Sequence, residues 1–209
     1  MADWPTVASL ATAGGTLVLA GATFAAVRSA NRAARTAERS LLAGLRPLLL
    51  PARLQDPPQK VMWADQHFAH VPGGKAVAEE VDGVIYLAAA VRNAGQGVAV
   101  LHGWYCFAGW RSGDNRPTPP DDFRRLTRDI YVAAGDIGFC QGAIRDADDP
   151  DRPAVLAAVD GHEQLTIDVL YGDHEGGQRS IARFILAPIQ DGYLFSLTRH
   201  WNLDQPNPR

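Results

Sequence analysis

Lysine and cysteine are scarce in this chain of 209 residues. Arginine outnumbers lysine 18 to 2, and Cys106 and Cys140 are the only thiols. Two cysteines outside any C-x-x-C pair cannot form a disulfide framework, and no signature of a catalytic cysteine surrounds either one, so both read as buried, inert thiols. The serine-hydrolase elbow G-x-S-x-G and the zinc motif H-E-x-x-H are absent, as are internal repeats and low-complexity tracts. A basic excess is lacking too. The net charge is -3 and the pI about 6.0, which argues against a nucleic-acid partner. The absence with most consequence is local: no charged residue stands between Asp3 and Arg28.

Trp4 to Val27 is an uncharged run of 24 residues. As a helix it is about 36 Å long, enough to cross about 30 Å of bilayer hydrocarbon. Its apolar side chains (Val7, Leu10, Leu17, Val18, Leu19, Phe24, Val27) are distributed all round, with Ala and Gly between them. Small residues are normal in membrane spans. Pairs four apart, such as Ala11 and Gly15, Gly21 and Ala25, or Ala22 and Ala26, could let two copies approach and form a homo-oligomer through this helix, although in a span this rich in Ala and Gly such pairs also arise by chance. A cleaved signal peptide needs a positive n-region, and Met1-Ala2-Asp3 has none.

Positive charge follows the run instead. Arg28, Arg32, Arg35 and Arg39 are spaced to share one helix face, where they meet lipid headgroups, fix topology, or do both. By the positive-inside rule the N-terminus faces out and the remainder is cytoplasmic, as a single-pass inner-membrane protein, with Trp4 as an outer interfacial anchor. Residues 1–46 carry +3 and residues 47–209 carry -6, a basic collar beside an acidic domain.

From Pro47 onward the sequence breaks into short β-like runs divided by Gly, Pro, Asn and Asp. Strands are expected at 46–54, 60–63, 84–92, 97–107, 130–133, 137–145, 164–171, 180–188 and 193–201. This is the pattern of an antiparallel sandwich or barrel. Val84 to Val91 is apolar on both faces and reads as a central strand. In the last strand Tyr193, Phe195, Leu197 and Trp201 are expected to point one way. Short helices are expected at Pro119–Leu126 and Pro153–Val159, the latter with Pro at its start. The chain thus divides into an outer N-terminus (1–4), a transmembrane helix (5–27), a basic juxtamembrane helix (28–44), a β-sandwich domain (45–203) and a flexible tail (204–209).

The turn Asn93-Ala94-Gly95-Gln96-Gly97-Val98-Ala99 has the form N-x-G-x-G-x-A and follows an Arg46-Pro47 strand start. With Val98–Trp104, Tyr171–Gly177 and Arg199–Asn202, it resembles uncharacterised single-pass membrane-anchored proteins of actinobacteria. The resemblance covers nearly the whole chain. It implies an N-terminal anchor and an immunoglobulin-like β-sandwich and brings no activity with it. Heavy use of Arg and Ala is compatible with such a GC-rich source. As a phosphate cradle the turn fails, because its third glycine is missing and a strand follows, so the glycines are expected to supply positive φ or a bulge at a hairpin.

Three other patterns bear on chemistry. Asp173-His174-Glu175 carries metal-ligand and acid–base side chains, but consecutive residues splay apart, so a site would need Asp65, His67 or His102 to converge on it. A hairpin tip explains the same residues by turn chemistry. The stretch Asp146–Asp151 fails as a calcium loop because Ala157 and Asp151 stand where Glu and Gly are required. Trp110 and Trp63 are candidate binding aromatics; Trp104 and Trp201 sit in apolar runs and read as core. The leading expectation is a membrane-tethered, non-enzymatic module with no cofactor, binding an unknown protein partner in the cytoplasm. One rival is a metal-assisted hydrolase using His174, Asp173 and either His67 or His102. The other is an extracytoplasmic carbohydrate-binding domain, if topology is reversed.

Overall fold

The computed structural model of the chain describes residues 3–110 and 116–205; the tail expectation at 206–209 and the side chains of Thr6, Val7 and Ala11 lie outside what is described. The chain forms two compact units, 1–44 and 45–209.

The first unit is one continuous helix, α1 (Trp4–Gly44), of 41 residues. Pro5 is tolerated because the first turn has no intrahelical partner for its nitrogen. Thr12, Thr16, Thr23 and Thr36 donate their hydroxyls to the carbonyls four residues back, at 2.8–3.0 Å, so none of these hydroxyls is left unbonded. The helix is long and apolar enough to cross a membrane, and none of its described side chains is buried in the protein. Leu10, Leu17, Val18, Leu19 and Phe24 are all more than two-thirds exposed, which water would penalise and lipid would not.

The second unit is mainly antiparallel β. Its strands are β1 (Leu49–Pro51), β2 (Gln59–Met62), β3 (Phe68–Val71), β4 (Lys75–Val81), β5 (Val84–Asn93), β6 (Ala99–Ala108), β7 (Arg124–Val132), β8 (Ile137–Ile144), β9 (Leu165–Asp173), β10 (Arg179–Pro188) and β11 (Tyr193–Asn202). One half of a curled sheet is β8–β5–β4, with β1 beside the end of β5; the other is β11–β10–β9–β6–β7. Among the described residues, Tyr193↔Ala76 and Leu194↔Lys75 are the pairs that join the halves. Between them lies the main core, with Leu87, Leu101, Cys106, Tyr171, Phe184 and Phe195 all buried. Each such large apolar side chain contributes roughly 1.5–3 kcal/mol on burial. The helix α2 (Arg152–Asp160) packs Val155 and Ala158 into this core.

Burial on both faces of β5 has a simple cause. Leu87, Ala89 and Val91 face the main core, while Tyr86, Ala88 and Ala90 pack under the β2–β3 hairpin with Val61, Trp63, Ala69 and Val71. On the outer face of the other half Phe123 clusters with Leu170, Ile181 and Trp201. On the same strands Arg183 forks onto the fully buried Asp168, with two bonds of 2.7 Å. Thr118 donates to the same carboxylate at 2.6 Å.

Three expectations are corrected. Trp201 does not share a face with Tyr193, Phe195 and Leu197, because a register shift at Thr198 turns the end of β11 over. Pro119–Leu126 is a single 3-10 turn, Pro120–Asp122, followed directly by β7. The β5–β6 connection is no hairpin. It crosses between the two halves, and Gly95 and Gly97 are not among the residues with positive φ. Close approach requires them instead. A Cβ at Gly97 would lie 1.9 Å from the Leu45 carbonyl oxygen, and one at Gly95 2.3 Å from that of Arg46.

The segment 45–48, where the chain enters the domain, is held by Asn93. This side chain is completely buried; its oxygen accepts from the amides of Leu48 and Gly95, and its nitrogen donates to the carbonyls of Gly97 and Val132. Arg46 adds bonds to Asn202 and to Asp204 at 3.2 and 2.9 Å, and that contact holds the Asp204 carboxyl below its ordinary value. Nearby, Tyr171 meets Leu49 and His200 through its hydroxyl. Three segments of the resemblance therefore converge on the entry of the chain.

Candidate functional site

β6 is interrupted on both edges at one residue, His102. Against β9, Leu101 pairs with Tyr171 and Gly103 with Leu170, so His102 is an extra residue with no partner. Against β7, Leu101 pairs with Ile130 and Gly103 with Arg125, which leaves Leu126 to Asp129 opposite His102 alone. Bulges re-aim side chains and end ladders locally. Gly103 and Gly172 make the room: a Cβ at Gly103 would press the Arg124 carbonyl oxygen at 3.0 Å, and one at Gly172 would reach the His102 ring at 3.3 Å.

The opened ladder lines a cleft of about 690 Å³. Leu170 and Phe123, both buried, contribute to its base, and His102, Asp121, Arg125, Asp129 and Arg179 supply its polar lining. Burial lowers the pKa of His102; Asp129 and Asp173 push the other way, and Arg179 adds to the lowering. Burial thus favours the neutral imidazole, which has one nitrogen to donate and one to accept. Among the described residues, nothing hydrogen-bonds the side chains of His102, Asp121, Arg125 or Arg179, and Asp129 receives only a 3.5 Å contact from Tyr131. Groups of both charge signs thus line the cleft without a close hydrogen-bond partner among the described residues.

The structure separates the sequence candidates. Asp173 is buried and accepts the Gln178 amide at 3.1 Å, closing the β9–β10 turn, while His174 and Glu175 project from its exposed tip. His67 belongs to the other half, stacked 4.0 Å over Tyr86 and bonded to Glu79 at 3.0 Å. Asp65 takes 2.7 and 2.8 Å bonds from Tyr86 and Arg145. The Tyr86 hydrogen bond first, and Arg145 with it, holds the Asp65 carboxyl down at about 2; burial and the Asp65 contact push Tyr86 up to about 12. Of the histidines named from sequence, only His102 lines the cleft. Among the described residues no three His, Cys, Asp or Glu side chains group to hold a metal ion.

Trp63 is corrected as a binding aromatic. It is 4% exposed, and its indole N–H donates to the Gly142 carbonyl at 3.0 Å, so its ring is core. Trp110 is exposed. Arg28, Arg32, Arg35 and Arg39 stand on the exposed surface of α1. Asp149 and Asp151, in the stretch rejected as a calcium loop, bind Arg124 at 2.6–2.9 Å. Burial raises the thiol pKa of both cysteines, that of Cys140 to about 12.

Sequence reading missed Arg125, Asp129, Arg179 and Asp121. Arg125, Thr127, Asp129 and Tyr131 are exposed at alternate positions, a strand signal, but Pro119-Pro120-Asp121-Asp122 ahead of them reads as a helix start. The scan against protein-family models and the search of curated proteins found no match to this chain.

Proposed function

We propose that this chain is a single-pass, membrane-tethered binding module, with its N-terminus outside and an immunoglobulin-like domain at the cytoplasmic face of the inner membrane. The observation that carries binding is the cleft at His102, where groups of both charge signs surround a broken ladder. Such gaps in a regular sheet mark places where a side chain or a backbone is made available. The domain reading draws on strand pairing. β5 pairs with β8, β6 with β9, and β9 with β10, while the β5–β6, β7–β8 and β8–β9 connections cross between the halves, in the manner of a Greek-key sandwich. The non-enzymatic reading is supported by the employment of Asp173, His67, Asp65 and both cysteines in turns, pairs and core.

The orientation rests on the arginines that follow the apolar run. Protease added to intact spheroplasts is expected to leave fragment 45–209 whole until detergent is added. Digestion without detergent would overturn the cytoplasmic placement and favour an extracytoplasmic binder.

A further inference from the structure

We propose that the His102 cleft binds a short extended peptide segment carrying one acidic and one basic side chain on the same edge, two residues apart. This rests on the reading of the chain as a binding module and names the chemistry of its ligand.

The backbone argues for a peptide. Leu126 to Asp129 have no pairing partners in β6, and His102 has none in β7 or β9. Backbone amides and carbonyls are obligate hydrogen-bonding groups, and an extended chain presents donors and acceptors at matching intervals. Charge argues for mixed side chains. Arg125 and Arg179 suit a carboxylate; Asp121 and Asp129 suit an ammonium or guanidinium group. The four formal charges cancel, so a ligand of a single sign satisfies half of the lining and opposes the other half.

Side-chain alternation supplies the spacing. Residues i and i+2 of a strand share one face, and the residue between them faces the other way. A ligand with charged residues at i and i+2 thus presents both to the polar lining, while its intervening side chain faces the other way. The volume lies within the range of ligand-binding clefts and accommodates a few residues, not a folded partner's whole face.

The test uses the full chain in detergent micelles with ¹³C-labelled histidine, its His102 ring signal assigned by the His102→Gln variant. The probe is acetyl-Lys-Val-Glu-Val-amide; acetyl-Gln-Val-Gln-Val-amide is the neutral control. The mixed-charge probe is expected to shift the His102 signal saturably and to bind about tenfold or more tightly than the control. Arg179→Ala and Asp129→Ala should each weaken it about tenfold, the loss of one charge-assisted contact. Both side chains are exposed, so folding should survive the changes. Absence of a saturable shift at millimolar probe, or equal binding of the control, overturns the proposal. The spheroplast result is independent. Correct topology with no peptide binding sinks this inference alone, and peptide binding by an externally placed domain sinks the cytoplasmic reading alone.

Discussion

The Asn93 side-chain oxygen accepts the amide proton of Leu48 at 3.1 Å, so the N-x-G-x-G turn grips the chain as it enters the domain. The same side chain makes three further bonds without any exposure to water. Asn93→Ala strands several buried partners at about 1 kcal/mol or more each. A loss of about 3 kcal/mol is expected, lowering Tm by about 10 °C. Thermal unfolding of the full chain in detergent checks this, and a Tm unchanged within error would remove the turn's structural role.

Glycine at position 97 is required by proximity. Gly97→Ala places a methyl group against the Leu45 carbonyl and should destabilise the domain by about 2 kcal/mol or more. Gly177→Ala meets nothing closer than the Asp173 carboxylate at 3.8 Å and should be tolerated. Comparable denaturant midpoints for the two variants would contradict the close-approach argument.

Asp168 and Arg183 form an ion pair with side-chain exposures of 0% and 8%. Removing the carboxylate takes both of its short bonds from a buried guanidinium, so Asp168→Ala is expected to cost about 3 kcal/mol. Replacing both, as Asp168→Leu with Arg183→Met, should recover much of that loss. A double variant no more stable than the single one would show that the pair does more than neutralise itself.

Asp65 and Tyr86 set opposite ends of a pH plateau. The folded carboxyl titrates near 2, below its ordinary 3.8, so its stabilisation is present above about pH 4 and is lost as pH falls towards 2. The folded phenol titrates near 12, above its ordinary 10, so its contribution is present below pH 10 and fades as pH rises towards 12. Tyr86→Phe should weaken the acid dependence and abolish this residue's alkaline one, measured as Tm against pH beside wild type.

Cys106 and Cys140 are buried with raised thiol pKa values. Maleimide is expected to leave both untouched in the native chain and to label both in denaturant. Rapid native labelling of either would show that the core opens far more readily than its packing implies.

The sequence conveys some of these features and hides others for physical reasons. The uncharged run from Trp4 to Val27 announces α1, and the two-faced apolar run from Val84 announces that β5 is covered on both sides. β3 and β4 were not expected. Phe68-Ala69-His70-Val71 is only four residues long, and Glu79-Glu80 interrupts the alternation of β4. The cleft was invisible because it arises from register. His102 is one ordinary residue in a strand until β9 and β7 pair around it with different offsets, and no local pattern encodes that mismatch. Trp201 was misassigned for a related reason, since a single extra residue at Thr198 inverts everything after it.

The bond between Arg46 and Asp204 means that the chain enters and leaves the domain at one place. The polypeptide from 46 to 204 is in effect a closed ring. A circular permutant joining those ends through a short linker and opened at the exposed turn by Gly83 should keep the fold. The same closure makes the domain a transplantable cassette: spliced into a surface loop of a host protein, it needs only two neighbouring attachment points.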